Sequence, residues 1–315
     1  MNNNSQILVP VDFSNASLKA LDYATNIAQQ INKKVTVVNI IKSPKSNNKG
    51  FKLPFASGWN AGSNGIDALF THKLFRKNKK RLRALKLNWK NHHVINKTLI
   101  RFSSKEPLEE IKDLVGKYNP YMLVLPYAPH TYFEQYFSSN FTLDVLRNIK
   151  IPTLFVPKKT VVKKIENIVL PSGFSDEVNQ DFLGVIKDVN GAFNSNLHLV
   201  KVLGNQEDKL HSDVKIIDFA NRKSLTNYHV NSIVAEDVET ALDIHIQSVK
   251  ADLLCLMTKG KSGFSQLFYS NSMTETLLKI TGKPVLSMSL KDTQYEMGNR
   301  TNKSNTDILL SELSY

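Results

Sequence analysis

Asp12 is the first side chain in this 315-residue sequence that could do chemistry. It follows the short apolar run Ile7-Leu8-Val9-Pro10-Val11 and precedes Phe13-Ser14. A carboxylate at the end of such a run can accept hydrogen bonds from incoming hydroxyl or amide donors. The plainer alternative is a polar residue of the turn. The same pattern returns as Ile168-Val169-Leu170-Pro171-Ser172-Gly173-Phe174-Ser175, where glycine replaces the carboxylate. A second chemically suggestive group is Gly260-Lys261-Ser262-Gly263. Its glycines let the backbone approach an anion, and a helix start beyond them would favour negative charge. The alternative there is a plain connection from strand to helix.

Other chemistries lack their residues. His92 and His93 are adjacent, but no cysteine or carboxylate stands at ligand spacing beside them, so a polar strand entry is expected rather than a zinc site. No Ser-His-Asp or paired-carboxylate set has an order that suggests a hydrolase, and a non-enzymatic protein is expected. Cys255, the single cysteine, excludes an internal disulfide framework and reads as a small buried residue of an apolar strand. The residues after Met1 show no basic segment leading into an apolar one, and no apolar run reaches membrane-span length. The expected location is the cytoplasm, with no membrane partner.

The net charge of +13 is unevenly placed. No acidic residue occurs between Asp67 and Glu106, while Lys and Arg recur from Lys73 to Lys105. Such a segment attracts anionic partners without specifying one.

The elements that must position these groups alternate between strand and helix signals. Strands are expected at Ile7–Val11, Val35–Ile41, Val94–Ile100, Met122–Leu125 and Pro152–Val156. A second series falls at Ile168–Leu170, Leu197–Leu203, His229–Val234, Asp252–Met257 and Pro284–Met288. Ser14 is placed to cap a helix with Leu18, Leu21, Ala24, Ile27, Ala28 and Ile31 on one face. Ser103 and Glu106 have capping-box spacing for a helix ending near Lys117. Asp67–Lys90 is expected as a basic helix with Leu69, Phe70, Leu74, Leu82, Leu85 and Leu87 available for packing. In that helix Lys73, Arg76, Lys77, Lys80 and Arg83 recur at three or four, as a solvated face would. Further helices are expected around Thr142–Asn148, with Val178, Phe182, Val185, Ile186 and Val189 on one face of the next, and about Ile216, Leu242 and Leu277. Lys42–Asn64 reads as a long loop and the tail from Lys291 as polar, with Ile308, Leu309, Leu310 and Leu313 able to dock as one short turn. Strands separated by helix-length segments imply right-handed crossovers and a mainly parallel α/β sheet.

Val9-Pro10-Val11-Asp12-Phe13-Ser14, with the Ala-rich helix after it, resembles the opening of the universal stress protein family. Thr258-Lys259-Gly260-Lys261-Ser262-Gly263-Phe264 is similar to that family's phosphate loop. Asn271-Ser272-Met273-Thr274-Glu275 resembles the start of its last helix, and Lys283-Pro284-Val285-Leu286 its final strand. The first-half counterparts are Tyr127-Ala128-Pro129-His130, Asn140-Phe141-Thr142 and Ile151-Pro152-Thr153-Leu154. The resemblance covers residues 5–157 and 165–289. It implies two Rossmann-like domains of the adenine nucleotide alpha hydrolase-like kind, at 1–157 (including the basic segment 67–91) and 165–290, with a polar tail at 291–315. Each would be a five-stranded parallel sheet flanked by helices. The two would pack as a pseudo-dimer, with Pro152–Val156 meeting Pro284–Met288.

Some members of the family bind ATP. The resemblance assigns Asp12 to the adenosine part, Gly260 and Gly263 to phosphates, and Asn271 and Ser272 to the start of the following helix. The sequence departs from that pattern in both halves. Tyr127-Ala128-Pro129-His130 has no glycine, and Pro129 lacks an amide donor; Gly173 stands where the aspartate would be, and Asn271 where a later glycine would be. The expected function is a tandem universal stress protein with degenerate nucleotide binding, ATP or phosphate being held weakly in the second domain. The alternatives are a nucleotide-independent module binding a protein through Lys73–Lys90 or the 42–64 loop, and, less favoured, nucleic-acid association through the same helix. A pseudo-dimeric monomer or a homodimer is expected.

Overall fold

The computed structural model describes residues 6–42, 65–103, 105–127, 139–174, 178–204, 209–258, 271–289 and 307–309. The first half runs β1 (Gln6–Pro10), α1 (Asn15–Gln30), β2 (Lys34–Lys42), α2 (Gly65–Asn88), β3 (Ile95–Ser103), α3 (Pro107–Tyr118), β4 (Met122–Tyr127), α4 (Ser139–Asn148) and β5 (Thr153–Pro157). The second half runs β6 (Asn167–Pro171), α5 (Gln180–Phe193), β7 (Asn196–Leu203), α6 (Lys209–Arg222), β8 (Tyr228–Val234), α7 (Val238–Ser248), β9 (Leu253–Thr258), α8 (Asn271–Thr281) and β10 (Val285–Ser289). A last short strand, β11, spans Asp307–Leu309.

These strands form one 11-stranded sheet in the order β11-β3-β2-β1-β4-β5-β10-β9-β6-β7-β8. The sequence β3-β2-β1-β4-β5 is parallel throughout, and so is β10-β9-β6-β7-β8. The expected fold class is therefore the one observed, an α/β sheet built from two five-strand units with the same internal order. The units join where β10 runs antiparallel to β5, with Val285 opposite Phe155 and Ser287 opposite Thr153. The expected meeting of these two edges is present. It conceals two strand edges that would otherwise invite association. Tyr121 reinforces the seam by donating to Asp188 at 2.6 Å, and Lys150 Nζ donates to Ser289 Oγ at 3.0 Å. Burial, followed by the Asp188 carboxylate, raises the pKa of the Tyr121 phenol.

Alternation along each strand builds a core on both faces, as a helix-covered parallel sheet requires. Ile7 and Val9 of β1 enter one layer with Ile168 and Leu170 of β6, while Leu8 and Val169 enter the other. Both layers run through both halves. Cys255 of β9 is wholly buried in the first layer, and burial pushes its thiol pKa up.

Two local expectations are corrected. Ser103 does not share a capping box with Glu106. Glu106 is itself the N-cap of α3, with Pro107 at the first helical position, where its fixed φ and missing N–H cost nothing. The Ser103 hydroxyl instead accepts from Lys105 N at 3.1 Å, in the turn that leaves β3. Ile308 and Leu309 form no turn: they lie in β11, antiparallel to β3, with Ile308 opposite Ile100. The bare edge of β3 offers unpaired backbone groups, which favours a strand there. Leu310, Leu313 and residues 43–64 lie outside the described residues.

In α2, Phe75, Leu82 and Leu85 are buried, and Lys73, Arg76, Lys77, Lys80 and Arg83 are exposed. Leu87 is 69% exposed and so does not pack, whereas Asn78, a polar residue, is buried.

Candidate functional site

The candidate site begins at the corner between β1 and α1. Val11 N still donates to Val38 O at 2.8 Å, so the sheet holds the chain to the residue before Asp12. Phe13 then takes φ +65, a left-handed conformation uncommon for a bulky side chain, and turns the backbone into α1. Ser14 caps that helix as expected, its hydroxyl accepting from Ser17 N at 3.1 Å.

Asp12 Oδ1 accepts from Ser14 N at 2.8 Å and from Ser17 Oγ at 2.7 Å. This is an Asx-type turn in which the carboxylate also faces the positive end of α1. The carboxylate is exposed, and Oδ2 accepts no hydrogen bond among the described residues.

Two buried asparagines support this corner from beneath. Asn39 Nδ2 of β2 donates to Val11 O at 2.7 Å, and Asn78 Nδ2 of α2 donates to Asn39 Oδ1 at 2.9 Å. The Arg81 guanidinium lies over the Phe13 ring, 5.0 Å from its centroid. Sequence reasoning missed Asn39 and Asn78. The available signal was a polar residue at each of two positions where the apolar pattern calls for burial.

The second corner keeps the backbone path and changes the chemistry. Ser172 N donates to Val200 O at 3.0 Å, and Phe174 takes φ +55. The repeated Phe therefore marks a repeated left-handed turn. Here the Ser172 hydroxyl accepts from Phe174 N at 3.0 Å and does the turn-closing work of Asp12. Phe174 packs edge-on against Phe219 of α6, with centroids 5.4 Å apart. The cap also differs: α5 starts at Gln180, behind Asn179, whose Oδ1 accepts from Asp181 N at 2.8 Å.

Asn271 and Ser272 open α8, beyond the end of β9. Gly260 and Gly263 lie outside the described residues, as do Ala128, Pro129 and His130. The antiparallel seam puts the carboxyl ends of the two parallel units at opposite edges of the sheet. Asp12 and the start of α8 therefore stand on opposite edges and are not brought together.

Sequence reasoning also missed a histidine cluster. His198 of β7 stacks on its register partner His229 of β8 at 5.4 Å and meets His245 of α7 edge-on at 6.0 Å. His198 Nε2 lies 3.2 Å from Asn167 Oδ1, while His245 Nε2 is buried with no hydrogen-bond partner. Burial first, then His229 and His245, push the His198 pKa down to about 4; burial also lowers that of His245. Both rings are therefore neutral at pH 7. Among the described residues no group of three or more His, Cys, Asp or Glu is placed to hold a metal ion. His92 and His93 are exposed at the entry to β3, where the His92 ring nitrogen Nδ1 lies 3.0 Å from Trp89 O. Among the described residues no helix is long and apolar enough to cross a membrane.

The family model described as the universal stress protein family matches residues 3–52, the segment containing β1, the Asp12 corner, α1 and β2. No curated protein matches the chain. A universal stress protein from Archaeoglobus fulgidus DSM 4304 superposes with TM-score 0.62 at 15% identity, covering 91% of this chain and 98% of its own. A protein assigned to the same family from Pseudomonas aeruginosa UCBPP-PA14 superposes with TM-score 0.56 at 12% identity, covering 90% of this chain and 93% of its own. A universal stress protein solved in complex with cAMP covers 40% of this chain and 98% of its own, at 19% identity and TM-score 0.32. The family model thus matches the opening of the chain, and the whole chain has the fold of a solved universal stress protein.

Proposed function

We propose that the protein is a non-enzymatic, cytoplasmic regulator of the tandem universal stress type. Nucleotide or phosphate recognition is reduced to a weak site in the second half, at Gly260, Gly263, Asn271 and Ser272. The observation that carries this reading is the use made of Asp12. Its Oδ1 is engaged by Ser14 N and Ser17 Oγ, and the second corner closes the same turn with Ser172 instead. Asp12 therefore serves the entry to α1 first, which leaves Oδ2 as its only oxygen for a ribose hydroxyl. The separation of Asp12 from the start of α8 supports the same conclusion, because neither edge carries both parts of an ATP site. Mass spectrometry of the supernatant from denatured protein, purified without added nucleotide, tests it together with a thermal scan in magnesium ATP. A small saturable rise in Tm that is lost in Gly260→Val is expected. No rise at millimolar ATP, with no nucleotide released, removes the nucleotide part of the reading. Release of ADP from ATP removes the non-enzymatic part.

A second reading is favoured by the exposed row Lys73, Arg76, Lys77, Lys80 and Arg83 on α2. The buried side of α2 is anchored in the core, so this row is a rigid cationic surface suited to an acidic protein partner. The combined variant Lys73→Glu/Lys77→Glu/Lys80→Glu keeps the buried face intact and should release any such partner from the purified complex. Retention of every co-purifying protein by that variant sinks the idea. Nucleic-acid binding that weakens steeply with salt would reassign the surface.

A further inference from the structure

The connection between the halves, 158–165, borders a cavity of about 260 Å³ that both halves enclose. Tyr23 of α1 forms part of its wall from the first half, and Asp252, Thr281, Gly282 and Lys283 line it from the second. Lys159, Thr160, Lys163 and Lys164 come from the connection itself. Four lysines thus meet one carboxylate in the lining.

That carboxylate is already satisfied. Asp252 Oδ1 pairs with Lys163 Nζ at 2.6 Å, and Oδ2 accepts from Glu166 N at 2.8 Å and Asn167 N at 3.1 Å. Lys159, Lys164 and Lys283 form no ion pair among the described residues, so the lining carries uncompensated positive charge. Thr160, 8% exposed, has a hydroxyl with no hydrogen-bond partner. A buried hydroxyl left this way calls for a partner that the protein does not supply. Tyr23, also buried, is held in the protonated form, chiefly by burial and next by Asp252, and so remains a donor. The C-terminal carbonyls of α8 oppose an anion weakly. One of them, Leu277 O, is already occupied by the Thr281 hydroxyl at 2.6 Å.

Size narrows the ligand. The cavity falls short of the roughly 300–1,000 Å³ usual for larger organic ligands, which favours a compact oxyanion over a whole nucleotide. Lysine acts on phosphate as a point charge and tolerates several orientations. We propose that this seam cavity binds a compact phosphate-type oxyanion of pyrophosphate size, held by Lys159, Lys164 and Lys283 with the Thr160 hydroxyl. The site is independent of the proposed nucleotide site. It lies at the start of β9, a six-residue strand about 20 Å long, whereas Gly260 comes after the end of that strand in the sequence. Because its walls come from both halves, occupancy would fasten the seam.

The test titrates full-length protein with sodium pyrophosphate at fixed ionic strength, by calorimetry and thermal scan, with orthophosphate and ATP as parallel arms. Saturable pyrophosphate binding is expected, stronger than that of orthophosphate and not displaced by ATP. Lys159→Gln/Lys164→Gln/Lys283→Gln should weaken it about tenfold or more, and Thr160→Val by less. Gly260→Val/Gly263→Val should leave it unchanged, as should Lys73→Gln/Lys77→Gln/Lys80→Gln on α2. Absence of saturable binding overturns the proposal, and so does full retention in the seam triple variant. Loss in the glycine variant with displacement by ATP would move pyrophosphate to the nucleotide site and equally overturn it. Reading the ligand-induced shift rather than the baseline Tm removes the effect of relieving lysine repulsion.

Discussion

The two halves share a strand order and a turn, yet they hold corresponding places with different chemistry. At the strand-1 corner, the first half closes its turn with a carboxylate and the second with a hydroxyl. At the outer edge, the first half is ionic. Arg101 of β3 pairs with Glu110 of α3, their side chains 3% and 1% exposed, and Asp113 joins Arg101 at 3.4 Å. Lys105 completes the group on Asp113. The corresponding layer of the second half, beneath α7, holds the neutral imidazoles of His198 and His245. The difference teaches that backbone path and side-chain chemistry are separable in this fold. A residue type lost between halves therefore need not signal a lost ligand, because its structural task can be reassigned.

The largest expected effect breaks the ionic edge. Glu110→Ala leaves Arg101 buried beside a weaker partner and should cost about 3–5 kcal/mol by denaturant unfolding. Replacing His245 with Leu should cost far less, because it removes an unpartnered buried nitrogen rather than a charge partner. Equal losses in the two variants would erase the contrast between the edges.

Acid should separate the halves next. As pH falls through 6.5 the unfolded chain protonates its histidines, while folded His198 stays neutral until about pH 4. The unfolded state thus binds more protons across that window, so stability falls from about pH 6.5 towards pH 4. His198→Phe should flatten Tm against pH over this range. An unchanged profile would mean that the cluster is not what titrates.

Smaller again is the corner itself. Asp12→Ala removes the acceptor for Ser14 N and Ser17 Oγ and should cost about 0.5–2 kcal/mol, the scale of a lost helix cap. If Asp12 serves the turn alone, the variant keeps whatever Tm response to ATP the parent shows; loss of that response would restore a ligand role to this carboxylate. The subtlest change is Gly173→Asp, which supplies the missing carboxylate on the edge that carries α8. Gly173 does not use positive φ, so an aspartate there meets no left-handed backbone strain. A modest gain in the ATP-induced Tm shift is expected, and no gain would mean that other parts of that edge are also missing.

Much of this architecture was legible in the sequence because it is carried by local pattern. The apolar runs located the ten main strands, and the motif resemblance supplied the two five-stranded parallel units and the meeting of their last strands. The strand order and the antiparallel sense of that seam came from the structure. Ser14 announced its helix. What escaped depends on contacts between distant segments. His198, His229 and His245 share no spacing, and only the β7–β8 register and the packing of α7 unite them. Arg101 and Glu110 carry no local signal of burial, and only the packing of α3 on β3 encloses them. Asp12 was recognisable as a special position, but its engagement by Ser17 required the helix to be in place. Ser103 misled because Pro107 fixed the helix start more firmly than a capping box could.

Cys255 carries a practical consequence. It is the chain's single thiol, and it sits in β9 between β10 and β6. Its sulfur meets an alkylating reagent only when that strand is uncovered, so the native chain contains an intrinsic reporter of opening events. Labelling rates measured across denaturant would reveal whether the second half opens by itself or only when the whole sheet comes apart. No probe needs to be introduced, and no second thiol confuses the count.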